Sequence, residues 1–273
     1  MQVLPSKELA PYIKHYLFLD NVKTAVQKFR LFSDGNNGIV FSIKNRLISE
    51  IKDEVKEYLP ASFLYGQLDT FKDLYSENQI TLIIVVFQPN GINQLLGIPA
   101  NELRNSIVPV EDLFGKKAAE LQEKLSEQNN QERLAFLNHF FSSLIVANTT
   151  YNQLIINNSL HFIISNQGHF SVKQLVEYTG FSERQLERKF KECVGLNPKK
   201  FGGIVRLHHF LKLLKNKPSD TNLTSIVYDA GFSDQSHLIK EFRKHTGITP
   251  REYLYSTKKL TNNLIERFSP AML

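Results

Sequence analysis

The chain has 273 residues, 42% of them hydrophobic and 22% charged, which is long enough for two domains with separate cores. Its one cysteine, Cys193, excludes an intrachain disulfide framework and points to a reducing compartment. The formal charge of +6 divides unevenly: residues 1–150 hold 15 Lys and Arg against 17 Asp and Glu (net −2), and residues 151–273 hold 18 against 10 (net +8), which predicts one part that meets a polyanion and one that does not.

The first six residues, Met1 through Ser6, lack the charged-then-apolar run of a signal peptide. The longest apolar run, residues 80–87, is too short to span a bilayer, so a cytoplasmic protein with no membrane partner is expected. Residues 5–18 read as a short helix entering a strand. Short β-type runs follow at 29–32, 38–43, 46–51, 62–66 and 70–74, with Ser33-Asp34-Gly35-Asn36-Asn37 as a turn between the first two. Residues 81–87 are apolar on both faces and predict a central, buried strand, ended by Pro89-Asn90-Gly91. Short strands at this spacing predict a small curled sheet or barrel. A short helix at 92–96 precedes a helical pair at 109–128 and 130–146, where Leu113, Leu121 and Leu125, then Leu134, Leu137, Phe141, Leu144 and Ile145, keep a 3.6-residue period.

A metal-dependent β-barrel enzyme needs two or three histidines and a carboxylate on one ion. Residues 1–150 offer only His15 and His139, and His208-His209 are adjacent on a helix and cannot share a face. Phosphate-loop, Gly-x-Ser-x-Gly and Cys-x-x-Cys patterns are absent, so no catalytic, metal or cofactor residues are nominated.

From Tyr151 a helix carries Leu154, Ile155, Leu160, Ile163 and Ile164 to a stop at Gln167-Gly168. Ser171 and Gln174 form a capping box for the next helix, with Leu175 and Val176 inward. Gly180-Phe181-Ser182 then opens a helix with Leu186 and Phe190 inward, and Cys193 near its end reads as a buried structural thiol. Asn197-Pro198 starts a long helix to about Lys217, with Leu207, Phe210, Leu211 and Leu214 on one stripe, stopped by Pro218-Ser219-Asp220. Leu223, Ile226 and Val227 support a second unit. There Gly231 is a turn residue able to take φ > 0, Ser233 caps the helix, Leu238 and Phe242 point inward, and Gln235, Ser236, His237 and Lys240 point outward. Thr249 and Glu252 stand at capping-box spacing, with Pro250 at the first helical position. After Tyr253 the chain is expected to fray, with Leu260, Leu264, Ile265 and Phe268 forming a last amphipathic turn or two.

The two stretches are copies. Gly231-Phe232-Ser233 matches Gly180-Phe181-Ser182 at an offset of 51. Leu238, Phe242, Gly247 and Pro250 match Leu186, Phe190, Gly195 and Pro198 at an offset of 52, so one residue is inserted near the start of the second outward-facing helix. Two helix-turn-helix units are predicted, at about 171–195 and 223–247, joined by a helix at about 197–217. That helix, about 20 residues at ~1.5 Å each, is roughly 30 Å long, close to the ~34 Å between successive major grooves on one face of B-DNA.

Residues 231–250, the weaker copy before them and the helix between resemble the DNA-binding domain of AraC-type (AraC/XylS family) transcription regulators, over roughly 151–256. The expected fold class is therefore α+β, with a β-rich domain at 1–150 carrying the helical pair and an all-α DNA-binding domain at 151–273 that folds and binds DNA on its own. The resemblance implies a sequence-specific regulator, an activator, with double-stranded DNA and RNA polymerase as partners. Carried over residue by residue, it places base contacts at Arg184, Gln185, Glu187 and Arg188 in the first unit and Gln235, Ser236, His237 and Lys240 in the second. The arginine forks suit guanine and Gln235 suits adenine. Phosphate contacts fall to Lys189, Lys191, Arg243 and Lys244, and to Ser182 and Ser233 through their helix N-termini. Three positions depart from the family: Gly202-Gly203, which should loosen the start of the long helix, Phe210 in place of a usual alanine, and Leu254 where a basic residue is frequent.

The β-then-helix layout of the first half is similar to the sensor or dimerisation half of the same regulators. Pro5-Ser6 with Leu9, Asp34-Gly35, and Phe87-Gln88-Pro89-Asn90-Gly91 look like an uncharacterised sensor type in that family. Three roles stay open for this half: a pocket for a small, mainly apolar effector, a packed core, or a homodimer interface through the helical pair. Rival readings of the whole chain are a basic helical protein-interaction module, a metal-dependent β-barrel enzyme fused to a DNA-binding domain, and a DNA-repair protein using Cys193.

Overall fold

The computed structural model describes residues 1–22, 26–52, 55–145, 151–216, 223–255, 257–261 and 263–267. Nine strands come first: β1 (Gln2–Val3), β2 (Ile13–Asn21), β3 (Gln27–Leu31), β4 (Gly38–Lys44), β5 (Ile48–Lys52), β6 (Val55–Tyr58), β7 (Ser62–Tyr65), β8 (Lys72–Ser76) and β9 (Ile80–Phe87). Then follow α1 (Gly91–Leu96), β10 (Ile107–Pro109), α2 (Val110–Phe114), α3 (Lys117–Glu127) and α4 (Asn130–Ser142). The C-terminal part holds α5 (Tyr151–Ser165), α6 (Val172–Thr179), α7 (Glu183–Val194), α8 (Pro198–Lys215), α9 (Leu223–Asp229), α10 (Gln235–Thr246) and α11 (Pro250–Tyr255), then β11 (Thr257–Lys259) and β12 (Leu264–Arg267). Val146, Lys217, Pro218-Ser219-Asp220, Ser256 and Phe268, which the sequence reading invoked, lie outside the described residues.

The strands form two antiparallel six-stranded sheets, β1-β2-β9-β4-β7-β10 and β11-β12-β3-β8-β5-β6. They are open sheets packed together rather than a closed barrel. Strand β9 explains the arrangement, because both its faces are covered. Ile83, Val85 and Phe87 pack against helix residues such as Ile92, Leu121 and Phe141. Leu82, Ile84 and Val86 pack against the second sheet through Phe29 and Leu74. An unbroken apolar run is what a strand between two layers requires.

Two local expectations are corrected. Residues 7–12 form turns rather than a helix, because Pro11 stands where a helix would need its backbone N–H. The chain end does not coil into a helical turn. It makes β12, paired with β3 in the register Leu264↔Leu31 and Ile265↔Arg30. Adjacent Leu264 and Ile265 go to opposite faces, as strand geometry dictates: Leu264 joins the core between the sheets, Ile265 the core of the second helical unit.

The C-terminal helices build two apolar clusters. One collects Leu160, Leu175, Leu186, Phe190 and Ile204 around the first unit. The other gathers Leu207, Phe210, Ile226, Leu238 and Phe242 around the second, and Phe210 sits edge-on to Phe232 and Phe242 at centroid distances of 6.3 and 6.0 Å. Phe210 thus fills the space a usual alanine would leave. The glycine pair also has a different reason from a loose helix start. A Cβ on Gly202 would fall 2.5 Å from the Phe170 ring, so this glycine allows a close approach, whereas Gly203 faces open space. Gly203→Ala is therefore expected to stabilise the chain by about 1 kcal/mol and Gly202→Ala to destabilise it. Urea unfolding of the two variants checks this, and the same sign for both would contradict it. Among the described residues no helix is long and apolar enough to cross a membrane.

Candidate nucleic-acid interface

Both outward-facing helices are fixed at both ends. Ser182 caps α7 in a capping box: its Oγ accepts from Gln185 N at 3.4 Å, and Gln185 Oε1 accepts from Ser182 N at 3.1 Å. Leu186, Phe190, Cys193 and Val194 are buried. Arg184 and Arg188 are exposed and, among the described residues, make no ion pair. Lys191 is exposed and 3.9 Å from Glu187, and half-buried Lys189 holds Glu192 at 2.9 Å. Gln185 is exposed but turned back to the cap, so it reaches a base only by releasing Ser182.

In the second unit the cap is Asp234, not Ser233. Asp234 Oδ1 accepts from His237 N at 2.8 Å, and Ser233 Oγ donates to Asp234 Oδ2 at 3.1 Å. The residue inserted between the copies puts a carboxylate at the N-cap, where it is the stronger acceptor and complements the helix dipole. The His237 amide, then the Ser233 hydroxyl, holds the Asp234 carboxyl below its usual range. A phosphate approaching this end meets a negative charge, so the Ser233 route lacks its expected helix terminus. Gln235, Ser236, His237, Lys240, Arg243 and Lys244 are all exposed, while Leu238, Phe242 and Thr246 are buried. His237 is not fully free: its ring lies edge-on to Phe232 at 5.7 Å.

The structure adds a residue that no local pattern flags. Asn101, exposed in the segment after α1, lines the same surface depression as Arg184, Arg188 and Lys191. Cys193 is buried, and burial, with the Glu192 charge, pushes its thiol up to about 11, leaving no thiolate near neutral pH.

The sheets sit directly against this helical part. Asn90 Nδ2 donates to Asn157 Oδ1 at 2.6 Å, and a Cβ on Gly35 would fall 2.8 Å from the Phe201 ring. His208 Nε2 donates to Ser33 O at 3.0 Å. Burial lowers the His208 pKa below 6.5, against the opposing pull of Asp34 and the Ser33 carbonyl. His15, His209 and His245 are lowered too, burial leading in each. As pH falls below about 6.5 the unfolded chain takes up these protons first, so stability present above that pH is lost progressively. Unfolding free energy should fall between pH 7 and 5, and His208→Gln should flatten the slope; a flat profile in the unmodified chain would contradict this.

Between β2, the 33–37 turn and α8 lies a cleft of about 630 Å³, with Lys14, His15 and Asp34 on one side and His208 and Lys212 on the other. The apolar void between the sheets is only about 50 Å³. Little space is thus left between the sheets, and a ligand-sized cleft lies at the junction with α8.

Comparison with known proteins gives matches to both halves. A family model described as a helix-turn-helix domain matches residues 175–256, and one described as a domain of unknown function (DUF6597) matches residues 1–109. An uncharacterized HTH-type transcriptional regulator of Staphylococcus aureus (strain MSSA476) is 30% identical over 112 residues, covering 41% of this chain and 14% of that protein. The chain therefore spans about one seventh of the length of that relative. The HTH-type transcriptional activator RhaS of Escherichia fergusonii is 32% identical over 96 residues, 34% of each chain. The solved structure of a transcriptional regulator from Chromobacterium violaceum, described among AraC-type DNA-binding domain-containing proteins, is 32% identical over 37% of this chain and 88% of its own, with a TM-score of 0.34.

Proposed function

We propose that this chain, which belongs to the AraC-type helix-turn-helix family, regulates transcription by reading two adjacent major-groove segments of duplex DNA from a single polypeptide. One observation carries the reading. Two capped helices, each with a buried Leu/Phe pair and an exposed polar face, flank α8, whose 18 residues span about 27 Å. Lys191, Arg243 and Lys244 would neutralise phosphates and release counterions, and Arg184, Arg188, Gln235 and Lys240 would meet base edges. Activation through RNA polymerase is the mode the family implies, and transcription from a template carrying the preferred site tests it. Both units lie in one chain, so a homodimer is not required.

The preferred duplex is first selected from a random library. Arg184→Ala or Arg188→Ala should then cost about 1–3 kcal/mol and relax specificity at one end of that site. Gln235→Ala or Lys240→Ala should act at the other end, one helical turn away. If all four weakened every sequence equally, they would be phosphate contacts. A second reading, favoured by the 630 Å³ cleft, is that a small-molecule effector binds between the β-domain and α8. Such a ligand regulates only if it binds the DNA-competent arrangement differently from the incompetent one. Thermal melting of the full chain against a metabolite library, with DNA binding repeated for each hit, tests it.

A further inference from the structure

We infer that the N-terminal sheets fix the spacing between the two DNA-reading helices, with Arg30 as the residue that positions α10. The inference rests on the two-groove reading above and adds a role for the β-domain apart from any effector.

The seat of α10 is built from buried charge. Arg30, on β3 and only 4% exposed, binds Asp73 through Nε at 2.6 Å and Nη2 at 2.7 Å. Its Nη1 donates to Thr246 O at 3.3 Å, in the last turn of α10, and its guanidinium carbon lies 3.8 Å from the centre of the Phe71 ring. A cation there satisfies an orphan carbonyl and complements the negative end of the helix dipole. Gly247, at φ +68°, ends the helix against this seat, and a Cβ on it would fall 2.5 Å from Arg30 Nη1.

The seat of α7 also holds a last-turn carbonyl and the glycine that follows, here through backbone. Ala100 N donates to Glu192 O at 2.7 Å, in the last turn of that helix. Gly195, at φ +86°, follows, and a Cβ on it would fall 2.8 Å from Ala100 O and 3.3 Å from Gln67 Cγ.

One short segment between β7 and β8 reaches both ends. Gln67 touches the glycine after α7 and Phe71 the glycine after α10. Between them Asp69 holds Lys200, in the first turn of α8, at 2.9 Å, and Arg104 at 2.7 Å. Four residue steps span at most about 14 Å, so both helix ends and the start of α8 are tied to one small bracket. Phe201 and Ile204 of α8 pack with the first unit, and Leu207 and Phe210 with the second. The bracket adds a hold on the far end of each of these outward-facing helices. A buried ion pair contributes little net stability compared with an apolar replacement, and its best-attested use is to specify one arrangement over others.

The test uses the full chain, the selected duplex, and the same duplex with one base pair inserted between the two contacted segments. The unmodified chain should bind the inserted duplex at least about tenfold more weakly, because insertion rotates one groove away from its helix. Arg30→Met keeps an apolar stem over Phe71 and leaves Asp73 with Lys28, 2.8 Å away, so it should fold. In that variant the insertion penalty should shrink to under about threefold. Asp69→Asn, at a partly exposed pair, should shrink it in the same direction. Phe141→Leu, in the core facing the helical pair, should keep the full penalty at matched thermal stability. An undiminished penalty in both bracket variants overturns the inference, as does tighter binding to the selected duplex with the penalty intact, which would make the bracket a lock. A chain with no preferred duplex at all would instead overturn the regulator reading itself.

Discussion

Phe32→Ala is expected to cost about 3–5 kcal/mol, the range for emptying a fully buried aromatic site, and to loosen the second helix-turn-helix unit rather than the sheets. Phe32 follows β3 in sequence, yet its side chain belongs to the cluster of Leu207, Phe210, Leu211, Phe242 and Tyr253. Its ring stands 6.1 Å from His208 and 6.4 Å, edge-on, from Tyr253. Removing it leaves a void between β3 and α8, beside the helix that orients the second reading face. Amide exchange should accelerate in α9 and α10 and stay slow in β9, while DNA binding weakens at one end of the site. Phe32→Leu should recover most of the loss, because a smaller apolar group still covers Phe242 and Tyr253. A loss below about 1 kcal/mol, or unchanged protection in α10, would mean that the second unit closes its own core.

The two units are legible in the sequence because each repeats the same demands: a turn glycine, a polar cap, Leu and Phe four apart, then Gly and Pro. Those demands are local, and the structure meets them at Leu186, Phe190, Leu238 and Phe242, all fully buried. The capping boxes at Ser171–Gln174 and Thr249–Glu252 are met for the same reason. Strand β9 is legible because burial on both faces leaves no alternation to misread. The identity of the second cap is also legible, since the one-residue insertion brings Asp234 to the N-cap, but the match of the two Gly-Phe-Ser triplets points to Ser233.

What stays hidden is non-local. A curled barrel and two packed open sheets give the same short apolar runs, and only strand order separates them. The contacts of Arg30 reach across 216 residues to Thr246, and Asn101 lines a depression made by a helix more than 80 positions later. Neither leaves a periodic trace. The quoted Asp34-Gly35 and Asn90-Gly91 signatures invited a sensing role, yet Gly35 packs on Phe201 and Asn90 bonds Asn157. Part of what that pattern encodes is therefore how the β-domain seats against the helices.

Deleting residues 257–273 should destabilise the whole chain, although composition makes this end look like a dispensable tail. Asn263 closes onto Phe32 twice: Phe32 N donates to Asn263 O at 3.0 Å, and Asn263 Nδ2 donates to Phe32 O at 3.2 Å. Beyond it, β12 completes the second sheet alongside β3, with Ile265 fully buried among the second unit and Leu264 8% exposed between the sheets. Returning those two side chains to water costs about 1.5–3 kcal/mol each, before any loss of ladder hydrogen bonds. The deletion also bares the edge of β3, a template for pairing with another chain, so the shortened protein should associate as its concentration rises. Ile265→Ala separates the two effects: it should lose about 2–5 kcal/mol while keeping the strand and the association state of the unmodified chain. Urea unfolding and size-exclusion chromatography of both variants decide the matter. A deletion variant that unfolds at the unmodified midpoint and elutes at the unmodified size would return this segment to the status of a frayed end. The opposite result ties β12 to the sheet that carries Arg30, so that a shift of β3 is felt by α10 from two sides.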